Sequence, residues 1–74
     1  MVTLKLNLTL INIIGKNEIK LNFSNSRNLL DILDEINLPH AEIGMVLKNG
    51  KWAPLDCIIE QNDEVQLFPH LEGG

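Results

Sequence analysis

The chain opens on a strict alternation. In "VTLKLNLTL" Val2, Leu4, Leu6, Leu8 and Leu10 are apolar, and Thr3, Lys5, Asn7 and Thr9 between them are polar. Successive strand side chains point to opposite faces, so this pattern predicts a half-buried strand over residues 2–10. "NIIGKN" follows, with Gly15 and Asn17 as turn residues. "EIKLNF" alternates again, with Ile19, Leu21 and Phe23 set against Glu18, Lys20 and Asn22. Two alternating runs joined through a short glycine-containing loop predict a hairpin.

The period then changes. In "SRNLLDILDEIN" the apolar residues Leu29, Ile32, Leu33 and Ile36 fall at i, i+3, i+4 and i+7, one stripe of a helix. Ser26 is the expected N-cap, and Asn37 and Pro39 supply the stop. Arg27 at the start and Asp34 and Glu35 near the end oppose the helix dipole, so the helix has to gain its stability by docking the stripe on a sheet.

"MVLKNGKW" is the strongest local signal in the chain. Asn49-Gly50 provides two positive-φ positions of a type I′ turn between strand-like flanks. "APLDCIIEQND" is rich in turn residues and has room for one helical turn. "EVQLF" is a last strand, with Val65 and Leu67 on one face and Gln66 and Phe68 on the other, and Pro69 ends it. One helix must then cover one face of a mixed sheet of four to five strands, an α+β two-layer domain over residues 1–69. Residues 70–74 are expected to form a flexible tail.

Composition narrows the classes. Seventy-four residues make one domain. Cys57 is the single cysteine, so no disulfide framework exists, and a free thiol fits a reducing compartment. No basic start with an apolar run marks a signal peptide, and no run approaches the ~18 apolar residues of a membrane span, so a cytoplasmic protein is expected. The six bases are scattered against ten acids, with no tyrosine, which argues against nucleic-acid binding. After Lys51 come Asp56, Glu60, Asp63, Glu64 and Glu72 without a Lys or Arg, an acidic stretch able to steer the chain toward a basic surface.

The helix "LLDILDEINLP", the hairpin "VLKNGKW", the stretch "LDCIIEQNDEVQLFP" and the final "GG" resemble the ubiquitin-like β-grasp superfamily. More narrowly they resemble its MoaD/ThiS-type sulfur carriers. Asp63-Glu64-Val65, then Phe68-Pro69, then Gly73-Gly74 match the family's acidic turn, short strand and Gly-Gly tail. His70 departs from it, standing where molybdopterin-type members often have a second proline, and Glu72 stands where a small or neutral residue is usual.

The resemblance implies a carrier rather than an enzyme. The Gly74 carboxylate would be adenylated by an activating enzyme that uses ATP, and sulfur from a persulfide donor would leave a thiocarboxylate there. Leu71, Glu72 and Gly73 would form the tail that threads the partner's channel, and no cofactor would reside on the chain. A second partner, the large subunit of molybdopterin synthase or its equivalent, would use the sulfur. Phe68 on the face opposite Val65 and Leu67, with Leu47 and Pro69, is the expected docking surface. Trp52 is expected to pack, and Cys57 to be a core residue. His40 and His70 lack ligand-like spacing, so no metal site is expected. "FP" before the tail leans to molybdopterin and the short length to thiamine; tRNA thiolation, a ubiquitin-like modifier and an interaction module are the alternatives.

Overall fold

The computed structural model describes residues 1–70. Among them the chain forms seven strands, two α-helices and one 3-10 turn. In chain order these are β1 (Val2–Leu6), α1 (Leu10–Ile14), β2 (Glu18–Leu21), β3 (Arg27–Asn28) and α2 (Leu29–Glu35). The 3-10 turn (His40–Glu42), β4 (Ile43–Lys48), β5 (Lys51–Ala53), β6 (Ile58–Ile59) and β7 (Glu64–Pro69) follow. The main sheet has five strands in the order β2-β1-β7-β4-β5, and β3 and β6 form a separate two-stranded ribbon. β1 and β7 run parallel at its centre, while the β1–β2, β4–β5 and β4–β7 pairs are antiparallel. No helix among the described residues is long and apolar enough to cross a membrane.

One face of this mixed sheet is packed. Val2, Leu4 and Leu6 of β1, Val46 of β4 and Val65 and Leu67 of β7 are buried with Leu29, Ile32 and Leu33 of α2. The predicted helical stripe is therefore the stripe that docks, with Ile36 half-buried at its end. The cap differs from expectation: Asn28, two residues after Ser26, accepts a 2.9 Å hydrogen bond from the Leu30 amide. Arg27 consequently lies before the helix, in β3, and reaches Glu35 at 2.8 Å. Asn37 ends the helix region in the left-handed conformation at φ 61°.

The first strand is shorter than its alternation predicts. It stops at Leu6; Leu8 turns the chain at φ 54° with 62% of its surface exposed. Leu10 is buried all the same, because it opens α1, with Ile11 and Ile14 packed against the core and Gly15 closing the helix in the left-handed conformation. Ala53 ends β5, residues 54–57 form a turn rather than a helical turn, and Ile58–Ile59 pairs with Arg27–Asn28. The Asn49-Gly50 turn is as expected, at φ 54° and 82°.

Candidate functional site

β7 divides its side chains as the sequence predicts. Val65 and Leu67 are fully buried, and Gln66 and Phe68 lie half-exposed on the other face. Phe68 stands opposite Met45 of β4, while Leu47 stands opposite Gln66 on one side and Trp52 of β5 on the other. Met45, Leu47, Trp52 and Phe68 therefore share the face that α2 leaves uncovered. Trp52 does not pack as expected: 71% of its surface is exposed, the most of any large apolar side chain among the described residues. The two-residue turn explains this. With Lys48 opposite Lys51, the register puts Trp52 opposite Leu47 and Ala53 opposite buried Val46, so only Ala53 reaches the core.

The open face is chemically divided. Toward β1 and β2 it carries Thr3, Lys5, Glu18 and Lys20, with Lys5 and Glu64 paired at 3.6 Å. Toward β4, β5 and the end of β7 it is apolar, and a shallow groove there is lined by Gly44, Met45, Trp52, Phe68, Pro69 and His70. Of the expected surface, Phe68 and Leu47 are thus brought to one face of the sheet, and Pro69 lines the groove where β7 ends. Met45, Trp52 and Gly44 were missed, although strand alternation and hairpin register place the first two there, and a glycine within a strand pattern signals a bulge or a close approach.

At the end of β7 the chain is held closely. His70 Nε2 lies 2.9 Å from the carbonyl oxygen of Ala41 in the 3-10 turn. Pro69 pairs with Ile43 across a register shift in β4. Leu71, Glu72, Gly73 and Gly74, the expected tail, lie outside the described residues.

Other candidates are engaged elsewhere. Asp63 binds the Asn49 side chain at 2.9 Å and the Glu60 amide at 2.8 Å, and Asn49 in turn accepts from the Glu64 amide at 2.8 Å. Part of the acidic stretch therefore holds the β4–β5 turn to the start of β7. Cys57 is half-buried against the core, and burial pushes its thiol above the ordinary range, opposed in part by the charge of Lys48. His40 Nε2 lies 2.8 Å from Asp34 Oδ1. No cluster of three His, Cys, Asp or Glu among the described residues could hold a metal ion.

A five-stranded mixed sheet with a helix across one face, its first and last strands parallel at the centre, defines a ubiquitin-like β-grasp protein. Known structures share it throughout. SAMP1 from Haloferax volcanii is 24% identical over 99% of this chain and 98% of that one, with a TM-score of 0.74. Urm1 from Sulfolobus solfataricus is 25% identical over 92% of this chain and 99% of its own, at 0.66. A Pyrococcus furiosus protein described as molybdopterin converting factor, subunit 1, is 17% identical over 95% and 97%, at 0.72. No curated protein sequence matches. The chain belongs to the Mut7-C ubiquitin family, whose profile matches residues 2–73. The resemblance to MoaD/ThiS-type proteins is borne out at the level of family and fold.

Proposed function

We propose that the chain is a protein sulfur carrier whose working group is the carboxyl of Gly74, and that it serves molybdopterin synthesis. The observation that carries the reading is the open apolar face around Phe68 of β7, in a chain of this family whose sequence carries Gly73-Gly74 a few residues after that strand. A carboxylate resists nucleophilic attack and is ionised at pH 7. ATP on a partner enzyme converts it to an acyl-adenylate with release of pyrophosphate. The terminal sulfur of a persulfide attacks the acyl carbon and AMP leaves. A second thiol then cleaves the sulfur–sulfur bond, becoming a disulfide and leaving the thiocarboxylate. ATP belongs to the partner, and no cofactor resides on this chain.

The glycines suit a narrow channel because they carry no Cβ and take up positive φ. Met45, Leu47, Trp52, Phe68 and Pro69 form the docking face, used in turn by the activating enzyme and by the large subunit of a molybdopterin synthase. The likeness to the molybdopterin converting factor subunit supports this pathway. The likeness to a small archaeal modifier protein, 25% identical, favours a second reading, in which Gly74 forms an isopeptide with a lysine.

Intact-mass analysis of the chain from its native cell tests the proposal. An oxygen-to-sulfur exchange at Gly74 is expected, lost when Gly74 is deleted or when one residue is added after it, with the thermal midpoint unchanged. Conjugates to other proteins with no thiocarboxylate would replace the carrier reading by the modifier reading.

A further inference from the structure

The place where the chain leaves the sheet decides where the carboxyl group can go, and separate structural features converge there. Ile43 opposes Pro69 and Met45 opposes Phe68, which leaves Gly44 as the extra residue of a bulge in β4. A bulge bends its strand and re-aims what pairs with it. At the same point the backbones touch. A Cβ on Gly44 would stand 2.7 Å from both the His70 Cα and the Pro69 carbonyl oxygen, and 2.8 Å from the His70 nitrogen. Finally, His70 Nε2 lies 2.9 Å from the Ala41 carbonyl oxygen. A carbonyl only accepts, so Nε2–H donates. The capping amide of the 3-10 turn, that of Ile43, is spent on the His40 carbonyl, and the imidazole supplies a donor for Ala41 at the turn's end.

From this geometry we infer that His70 is a positioning residue: its ring, with Gly44 beneath its backbone, anchors the root of the tail to the 3-10 turn. The inference deepens the carrier reading and rests on it for its consequence, though the anchor itself does not. Gly74 lies four residues after His70 in sequence, so its carbonyl carbon reaches at most about 14 Å from the anchor. His70 also lines the apolar groove with Met45, Trp52 and Phe68. A partner seated on the groove therefore meets the root of the tail, at His70, at a fixed offset, and part of the orientational cost of reaction is met in the fold.

Two measurements on the full chain test this. In the 15N-labelled protein, long-range correlation of the imidazole should place a proton on Nε2. The heteronuclear NOE of the residue 70 amide should equal that of β7 and fall in His70→Ala, with His70→Gln, which keeps a donor, between them. In single-turnover loading with the adenylating enzyme and a persulfide donor, His70→Ala should lower the saturating rate about fivefold, the scale of one net hydrogen bond. The half-saturating concentration should stay unchanged, and His70→Gln should recover part of the rate. If residue 70 of His70→Ala stays as ordered as in the wild type, the anchor is overturned whatever the rate. If its saturating rate is unchanged, or only its half-saturating concentration rises, the positioning role is overturned. A wild-type chain that never loads overturns the carrier reading alone, and the NOE then decides the anchor.

Discussion

Gly44 and His70 meet backbone to backbone, with no room for a side chain between them: a Cβ on Gly44 would stand 2.7 Å from the His70 Cα. The obstacle is main chain rather than the far end of a flexible side chain, so β4 or the Pro69–His70 segment has to move. Gly44→Ala is expected to lower stability by about 1–3 kcal/mol, the range for overpacking. Urea unfolding followed by circular dichroism measures it. A loss below about 0.5 kcal/mol, the range of ordinary surface changes, would mean that the two segments do not touch in solution.

Phe68 and Val65 sit on the same strand and face opposite ways, which makes them a matched pair. Val65→Asp buries an unpaired carboxylate, at a cost of several kcal/mol that a core of this size does not tolerate. That chain should be unfolded. Phe68→Asp sets its charge on the open face and should leave the thermal midpoint within a few degrees of wild type, while weakening binding to the activating enzyme at least tenfold, about 1.4 kcal/mol. Titration calorimetry beside a thermal melt separates the two. If Phe68→Asp folds and binds as the wild type does, the docking face lies elsewhere.

Leu8 and Leu10 look equivalent in the alternating run and are not. Leu8→Ala removes an exposed side chain and should change stability by less than about 0.5 kcal/mol. Leu10→Ala empties a fully buried position and should cost about 2–5 kcal/mol. Equal losses would mean that β1 runs on through both leucines.

Cys57 gives a pH dependence with a definite sign. Burial holds its thiol above the ordinary value, so the folded chain keeps this proton to higher pH than the unfolded chain does. The thiol leaves stability unaltered below the ordinary thiol range and lowers it as pH rises through that range, above about 8.5. The wild type should therefore lose more stability than Cys57→Ala between about pH 8 and 10. At pH 8 the native thiol should alkylate more slowly than the same thiol in urea, because the thiolate is the nucleophile. Equal alkylation rates would place the thiol in free water.

Much of the fold was legible because it is encoded locally. The face partition of β7, the stripe Leu29-Ile32-Leu33 and the Asn49-Gly50 turn each follow from a period or a backbone preference within a few residues. Other features depend on what the chain meets later. The alternation through Leu8 and Leu10 serves a strand and a helix start equally well, and Asn7 decides between them by bonding the Leu67 carbonyl through both its amide and its side chain. Ser26 and Asn28 are both good caps, and the pairing of Arg27-Asn28 with Ile58-Ile59 places the helix start after the second. Trp52 was misread by size, since a large apolar residue was expected inside when hairpin register set it outside. Of the open face and its groove, Phe68, Leu47 and Pro69 were within reach of sequence. The bond from His70 to Ala41 was not, because nothing local ties a residue after the last strand to a turn 29 residues before it.

The parallel pairing of β1 with β7 has a consequence for when the protein becomes visible to others. Leu6 and Leu67 are neighbours in the sheet, and the Asn7 side chain closes on the Leu67 carbonyl across 60 residues. The centre of the sheet thus comes into being only when the two ends of the domain have met. Phe68, in the middle of the open face, and His70, at the root of the tail, both belong to the later end. A chain not yet extended through β7 therefore displays neither, and a partner that reads this face meets it only once β1 and β7 have paired.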